Sequence, residues 1–205
     1  DIIAFDRGDG QDVVAASQGA DNTLSLGGGI RHQDLAFRKS GSSLVLQAGL
    51  NPQTGVQDQI TFNGWYSATA DNRSVARLQI VAEAMDAFDP HSGDPLLASK
   101  IQTFDFLGLV GAFNAARAAN PKLASWALSN ALAANHLDAS DSEAVGGDLA
   151  YVVGRNGSLE GLGLDDARYV LDDPAFGTEQ ALTPLFEGGD GDVLRLAIEP
   201  DIVAG

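Results

Sequence analysis

The chain has 205 residues, with 28 Asp and Glu against 12 Lys and Arg (12 − 28 = −16 formal charge), 44% hydrophobic residues and no cysteine. So acidic a chain suits neither nucleic acid, whose phosphates need clustered Lys and Arg, nor an anionic membrane surface, but it suits divalent cations. The missing cysteine excludes disulfides, zinc–thiolate and iron–sulfur sites and thiol nucleophiles, and no apolar run approaches the roughly 20 residues that span a bilayer.

Asp1-Ile2-Ile3-Ala4-Phe5 reads as a strand, stopped by Asp6-Arg7-Gly8-Asp9-Gly10. Asp12–Ala15 and Asn22–Leu26 are two more short strands, the latter closed by Gly27-Gly28-Gly29. Gln33–Arg38 and Ser43–Gln47 alternate polar and apolar about Lys39-Ser40-Gly41-Ser42, which predicts a hairpin. Gln59–Phe62 returns as a strand after the loop Asn51–Gly55, and Ser74–Ile80 alternates with period two. From Phe104 the period changes. Phe106, Leu109, Val110, Phe113 and Ala116 line one face of a helix. Asn120-Pro121 predicts the N-terminus of a second helix carrying Leu123, Trp126, Ala127 and Ala131, and Ser140-Asp141-Ser142-Glu143 has capping-box spacing for a third. Asp165–Leu171 and Thr178–Leu182 are short helical candidates.

Charge and texture change together near residue 80. Residues 1–80 hold 8 Asp, no Glu and 6 basic residues (net −2), whereas residues 81–205 hold 20 acidic and 6 basic residues (net −14). The expectation is an α+β protein: a β-rich unit over 1–82, covered or followed by a helical unit over 83–205, with a turn-rich junction at Asp89–Pro95. Asp1 follows neither an initiator Met nor a signal peptide, so the chain is expected to be a segment of a longer one.

The stretch with the most chemistry is Arg7-Gly8-Asp9-Gly10-Gln11-Asp12-Val13-Val14-Ala15. It matches the calcium nonapeptide G-G-x-G-x-D-x-U-x at Gly8, Gly10, Asp12 and Val14, with Arg7 in place of the first Gly. Calcium takes six to eight oxygens, which a glycine turn supplies as carbonyls and an Asp as charge. Asp1-Ile2-Ile3 echoes the end of a preceding repeat, and Gly188-Gly189-Asp190-Gly191-Asp192-Val193-Leu194 is one residue short of the pattern. The candidate metal residues are therefore Asp1, Arg7, Gly8, Asp9, Gly10, Asp12, Gly189, Asp190 and Asp192. The competing reading is that Gly-Asp-Gly is a turn and nothing more.

The run Asp1–Val14 resembles the flank of an RTX (haemolysin-type) repeat array. The segments Gly29–Arg31, Asp34–Arg38, Ser43–Leu46, Asp58–Phe62 and Trp65-Tyr66 look like the haemolysin-type calcium-binding-protein-related domain that follows such arrays. The resemblance covers residues 1–80. It implies the edge of a calcium β-roll plus antiparallel hairpins, calcium as ligand, and a secreted bacterial protein exported by a type I system with a C-terminal signal. The tail Glu199–Gly205 suits such a signal. In this reading the chain is not an enzyme. It is a calcium-binding folding cap that meets the type I secretion machinery inside and calcium outside. The alternative is an adhesive or self-associating module of a large surface protein, binding itself or a cell-surface ligand. A third reading is calcium-triggered self-cleavage at Asp89-Pro90, Asp94-Pro95 or Asp173-Pro174.

Other features favour plainer roles. His32, His91 and His136 form no HxxH spacing, there is no Gly-x-Ser-x-Gly elbow, and Gly146-Gly147-Asp148 and Gly161-Leu162-Gly163 lack phosphate-loop context. The acids Asp138, Asp141, Glu143 and Asp148 suit helix N-termini and a solvated face. Trp65, Tyr66 and Trp126 read as core rather than as a sugar-binding surface.

Overall fold

A computed structural model describes residues 1–15, 21–67, 73–141 and 154–156, apart from the side chain of Asn130. The elements in order are β1 (Ile2–Asp6), β2 (Gln11–Val14), β3 (Asn22–Gly27), β4 (Leu35–Ser40), β5 (Ser43–Leu50), β6 (Gln57–Phe62), β7 (Val75–Val81), α1 (Pro95–Ala98), β8 (Ile101–Asp105), α2 (Phe106–Ala119), β9 (Trp126–Ala127), α3 (Ser129–Leu132) and β10 (His136–Ser140). Short 3-10 turns sit at His32–Asp34, Ala82–Ala84 and Ala133–Asn135. The protein is mixed α+β, with two mixed sheets and few helices.

The first sheet has the order β1-β3-β7-β8-β10 and the second β2-β6-β5-β4-β9. The chain alternates between them: β1 lies in the first, β2 in the second, β3 in the first, β4 to β6 in the second and β7 in the first. The pairs β1/β3, β3/β7 and β2/β6 are parallel, whereas β7/β8, β8/β10, β6/β5, β5/β4 and β4/β9 are antiparallel. Strands from both sides of residue 82 therefore share the first sheet.

Register puts the apolar phase of each strand in one row. Ile3, Leu24 and Leu78 align, as do Phe5, Leu26 and Ile80, and on the second sheet Val14, Phe62 and Leu44. Leu24, Leu26, Leu78, Ile80, Leu44 and Phe62 are buried to 1% exposure or less, while the edge residues Ile3 and Val14 are half-buried. Burial of each such side chain contributes on the order of 1.5–3 kcal/mol.

Helix α2 follows β8 without a loop. Asp105 caps it, its carboxylate accepting from the Gly108 N–H at 2.9 Å. The predicted stripe is the buried one: Phe106, Leu109, Val110 and Phe113. Phe106 joins the helix to the second sheet through ring contacts at 5.6 Å to Phe37, 5.2 Å to Phe62 and 5.6 Å to Trp65.

The second predicted helix does not form. Asn120 instead ends α2, its side-chain oxygen accepting from the Lys122 N–H, and Trp126-Ala127 extends to pair with Phe37 and Ala36 on β4. An open sheet edge offered this short segment backbone partners, and only Ser129–Leu132 remains helical. The candidates at 165–171 and 178–182 lie outside the described residues, as does most of the one beginning at Ser140.

Truncating the ring that joins helix to sheet tests this core. Phe106→Ala should lower stability by about 3–5 kcal/mol in a urea melt, whereas Leu107→Ala on the exposed side should cost less than about 1 kcal/mol.

Candidate functional site

The Arg7–Gly10 turn forms the corner at which the chain leaves the first sheet for the second. Gly8 and Gly10 adopt φ of +106° and +92°, values that L side chains rarely tolerate. This geometry points two backbone N–H groups at Asp58: Gly8 donates to Oδ2 at 2.8 Å and Gly10 to Oδ1 at 3.2 Å. Successive amides around a carboxylate form an anion nest, here filled from within by an acid with no exposed surface. The turn's carbonyls are engaged too. Gly8 O accepts from the Asn51 side chain at 3.0 Å and Gly10 O from the Gln59 N–H at 2.8 Å.

The other predicted residues disperse around this corner. Arg7 turns away from the nest and donates to Asp34 at 2.5 Å, to Gly29 O at 2.8 Å and to Leu50 O at 3.4 Å. Asp34 also receives Arg31 at 2.8 Å; burial works against its ionised form, but the two guanidinium groups prevail and bring its pKa down to about 2. Asp9 accepts from the Asp6 N–H at 2.8 Å. Asp12 is exposed, although it pairs with Ile60 on the inward phase of the second sheet, because β2 is the edge strand. The Asp1 ammonium donates to Asn22 at 2.8 Å. Gly189, Asp190, Asp192, the tail 199–205 and Asp173-Pro174 lie outside the described residues.

Among the described residues no group of three or more His, Asp or Glu converges as a metal site. The glycine turn alone falls short of the six to eight oxygens calcium takes, although each engaged carbonyl keeps a second lone pair and the exposed Asp9 and Asp12 carry charge. The first two Asp-Pro bonds sit in turns. Asp89 accepts from the His91 N–H, and Asp94 caps α1 by accepting from the Leu96 N–H, with Pro95 at the first helical position. No helix among the described residues is long and apolar enough to cross a membrane.

Asp6, Asn51 and Asp58 escaped the sequence reading. Asp58 had a signal: it shares the inward phase of β6 with Ile60 and Phe62, and an acid in that phase requires a buried donor. Asp6 is buried, and its Oδ1 has no hydrogen-bond partner among the described residues. Burial raises its pKa to about 6, with the neighbouring Asp9 charge adding to the shift. His32 is also largely buried, which lowers its pKa against the opposing pull of Asp94.

Comparison of the chain with protein-family models, with curated proteins and with solved structures finds no match.

Two outcomes follow from this geometry. Asp58→Ala strands both glycine N–H groups and should cost about 2–4 kcal/mol, with faster hydrogen exchange at Gly8 and Gly10, whereas Asp12→Ala should stay within about 0.5 kcal/mol. Asp6 has a folded pKa near 6 against 3.8 unfolded, so its favourable contribution is complete below pH 3.8 and is lost as pH rises through about 6. Asp6→Asn should therefore be more stable than the parent at pH 7, by about 1–2 kcal/mol after allowance for solvent screening, with the gain vanishing near pH 4 in parallel thermal melts.

Proposed function

We propose that this chain is a non-catalytic cap for a calcium-binding β-roll of the RTX type, in a secreted bacterial protein exported by a type I system. The observation that carries the reading is the path of the chain. β1, β2, β3, β6 and β7 alternate between two sheets and pair in parallel across three contacts, with a Gly-Asp-Gly turn at the corner. A parallel two-sheet coil with glycine corners is the architecture expected of a β-roll edge.

The two ends of this stack differ in a way that supports capping. At one end β1 and β2 are both edge strands among the described residues, with Ile2 and Val13 exposed and Ile3 and Val14 only half-buried. A further coil laid on them would complete the burial of Ile3 and Val14. Toward the other end the hairpin β4–β5, the antiparallel strands β8 and β10, and α2 take the place of further coils. Parallel stacking cannot continue past them, which is what ends an open array. Residues 83–141 thus act as the cover, and the carboxyl-terminal stretch retains the role of export signal.

Calcium belongs in this reading at the junction. Asp9, Asp12 and the carbonyls of Gly8 and Gly10 would supply part of a shell that a neighbouring coil completes. One such half-site should bind in the weak range of extracellular modules, with Kd near 1 mM.

Calorimetric titration with calcium, alongside circular dichroism and intact mass, tests this. The expected result is millimolar binding to an already folded chain of unchanged mass, with about 1.4 kcal/mol of stabilisation at 10 mM calcium, or roughly 3–6 °C in Tm. The joint variant Asp9→Ala/Asp12→Ala should lose it. No heat and no Tm shift at 10 mM calcium would remove calcium from this chain's role, and a new fragment beginning at Pro90 or Pro95 would establish self-cleavage instead.

A further inference from the structure

Cations are scarce in this chain, and two sets of the described ones stand out against the rest, Arg38, Arg77 and Lys122. Arg7, Arg31, Lys100 and Arg155 each lie within 4 Å of a carboxylate on Asp34 or Glu83. Lys39, Arg73 and Arg117 have no carboxylate partner among the described residues and converge on Tyr66. Lys39 Nζ stands 4.7 Å from the centre of its ring, and Arg73 Nε donates to the adjacent Trp65 O at 3.4 Å. The Tyr66 hydroxyl donates to Asn114 Oδ1 at 3.1 Å, one helical turn before Arg117. Arg117 in turn lies 5.7 Å over the Phe113 ring, whose centre is 6.1 Å from that of Trp126.

Of the four aromatic residues flanked by these groups, Trp65 and Phe113 are core, at 2% and 0% exposure. Tyr66 and Trp126 are half-buried and Asn114, Lys39 and Arg73 are exposed. The charges are felt at the phenol: burial raises the Tyr66 pKa, and Arg117 and Arg73 pull it back.

The geometry points to a binding ridge for a carboxylated polysaccharide, with Lys39, Arg73 and Arg117 as carboxylate partners, Asn114 as a hydroxyl-directed amide, and Tyr66 and Trp126 as apolar surfaces for sugar rings. Charge complementarity selects an anion, because three cations gather around one phenol here with no carboxylate partner among the described residues. Membranes fit poorly, since the exposed large apolar residues Ile2, Val13, Leu50, Val56, Leu107 and Leu137 are not among the residues of the ridge. Nucleic acid fits poorly as well, since duplex DNA packs one charge into about every 1.7 Å and three cations offset few of them. A single uronate strand meets the ridge through local contacts, with paired apolar and polar faces suited to half-exposed aromatics.

The test is binding of the whole 205-residue chain to polygalacturonate in the presence of a chelator, so that calcium plays no part and the capping role stands or falls separately. Binding is expected, with none to the fully methyl-esterified polymer. Lys39→Gln and Arg117→Gln should each weaken it about tenfold with unchanged circular dichroism, whereas Arg77→Gln, an exposed cation outside the ridge, should leave it unaltered. Equal binding of the methyl ester, equal weakening by Arg77→Gln, an unchanged affinity in Lys39→Gln/Arg117→Gln, or preferential binding to phosphatidylglycerol vesicles would each overturn the proposal.

Discussion

The fold depends on one buried carboxylate. Asp58 closes the Gly8–Gly10 corner and stands one residue before Gln59, where the parallel pairing of β6 with β2 begins. A slip of one residue would turn Asp58 outward and Ile60 with it, leaving two N–H groups unpaired and an apolar side chain in water. The same contact therefore fixes the turn, the register and the crossing between sheets. Arg7 provides the complementary restraint, since its guanidinium reaches Asp34, Gly29 and Leu50 and ties the corner to the loops beyond β3 and β5.

This arrangement explains how a calcium-like motif and an internally satisfied turn coexist. A cation site needs carbonyls and carboxylates aimed inward, whereas here the glycine amides aim inward and a carboxylate meets them. The polarity of the corner is thus set by β6, an element of this chain. Oxygens at Asp9 and Asp12 remain on the outer side, toward the free edges of β1 and β2. The inner half of the corner has a structural task, whereas the Asp9 and Asp12 side chains are exposed.

Much of the β architecture was legible because alternation is a strong local signal. All seven strands expected over residues 1–80 form, and the Ser40–Ser43 hairpin turn lies where Gly41 was noted, with a φ of +57°. The apolar stripe from Phe106 to Phe113 was equally plain. What escaped depends on partners distant in sequence. Ile101–Asp105 alternates but runs straight into the helix, Trp126-Ala127 becomes a strand only because β4 offers an edge, and His136–Ser140 gains its identity from β8. The parallel pairing could not be read from period alone, because alternation is blind to the direction of the neighbour. Of the candidate site, the glycine corner was visible, while Asp58, 48 residues from Gly10, required knowledge of the register.

The mixture of local and remote pairing also sets an order of events for folding. β4, β5 and β6 meet through neighbouring turns, so closing them costs little chain entropy, whereas β2 must find β6 and β3 must find β7 across some fifty residues. The antiparallel hairpins are thus the contacts cheapest to close, and the pairings of β2 with β6 and β3 with β7 the costliest. A platform that is rigid before its outermost coil arrives can act as a template, imposing its own register on whatever strand reaches it next.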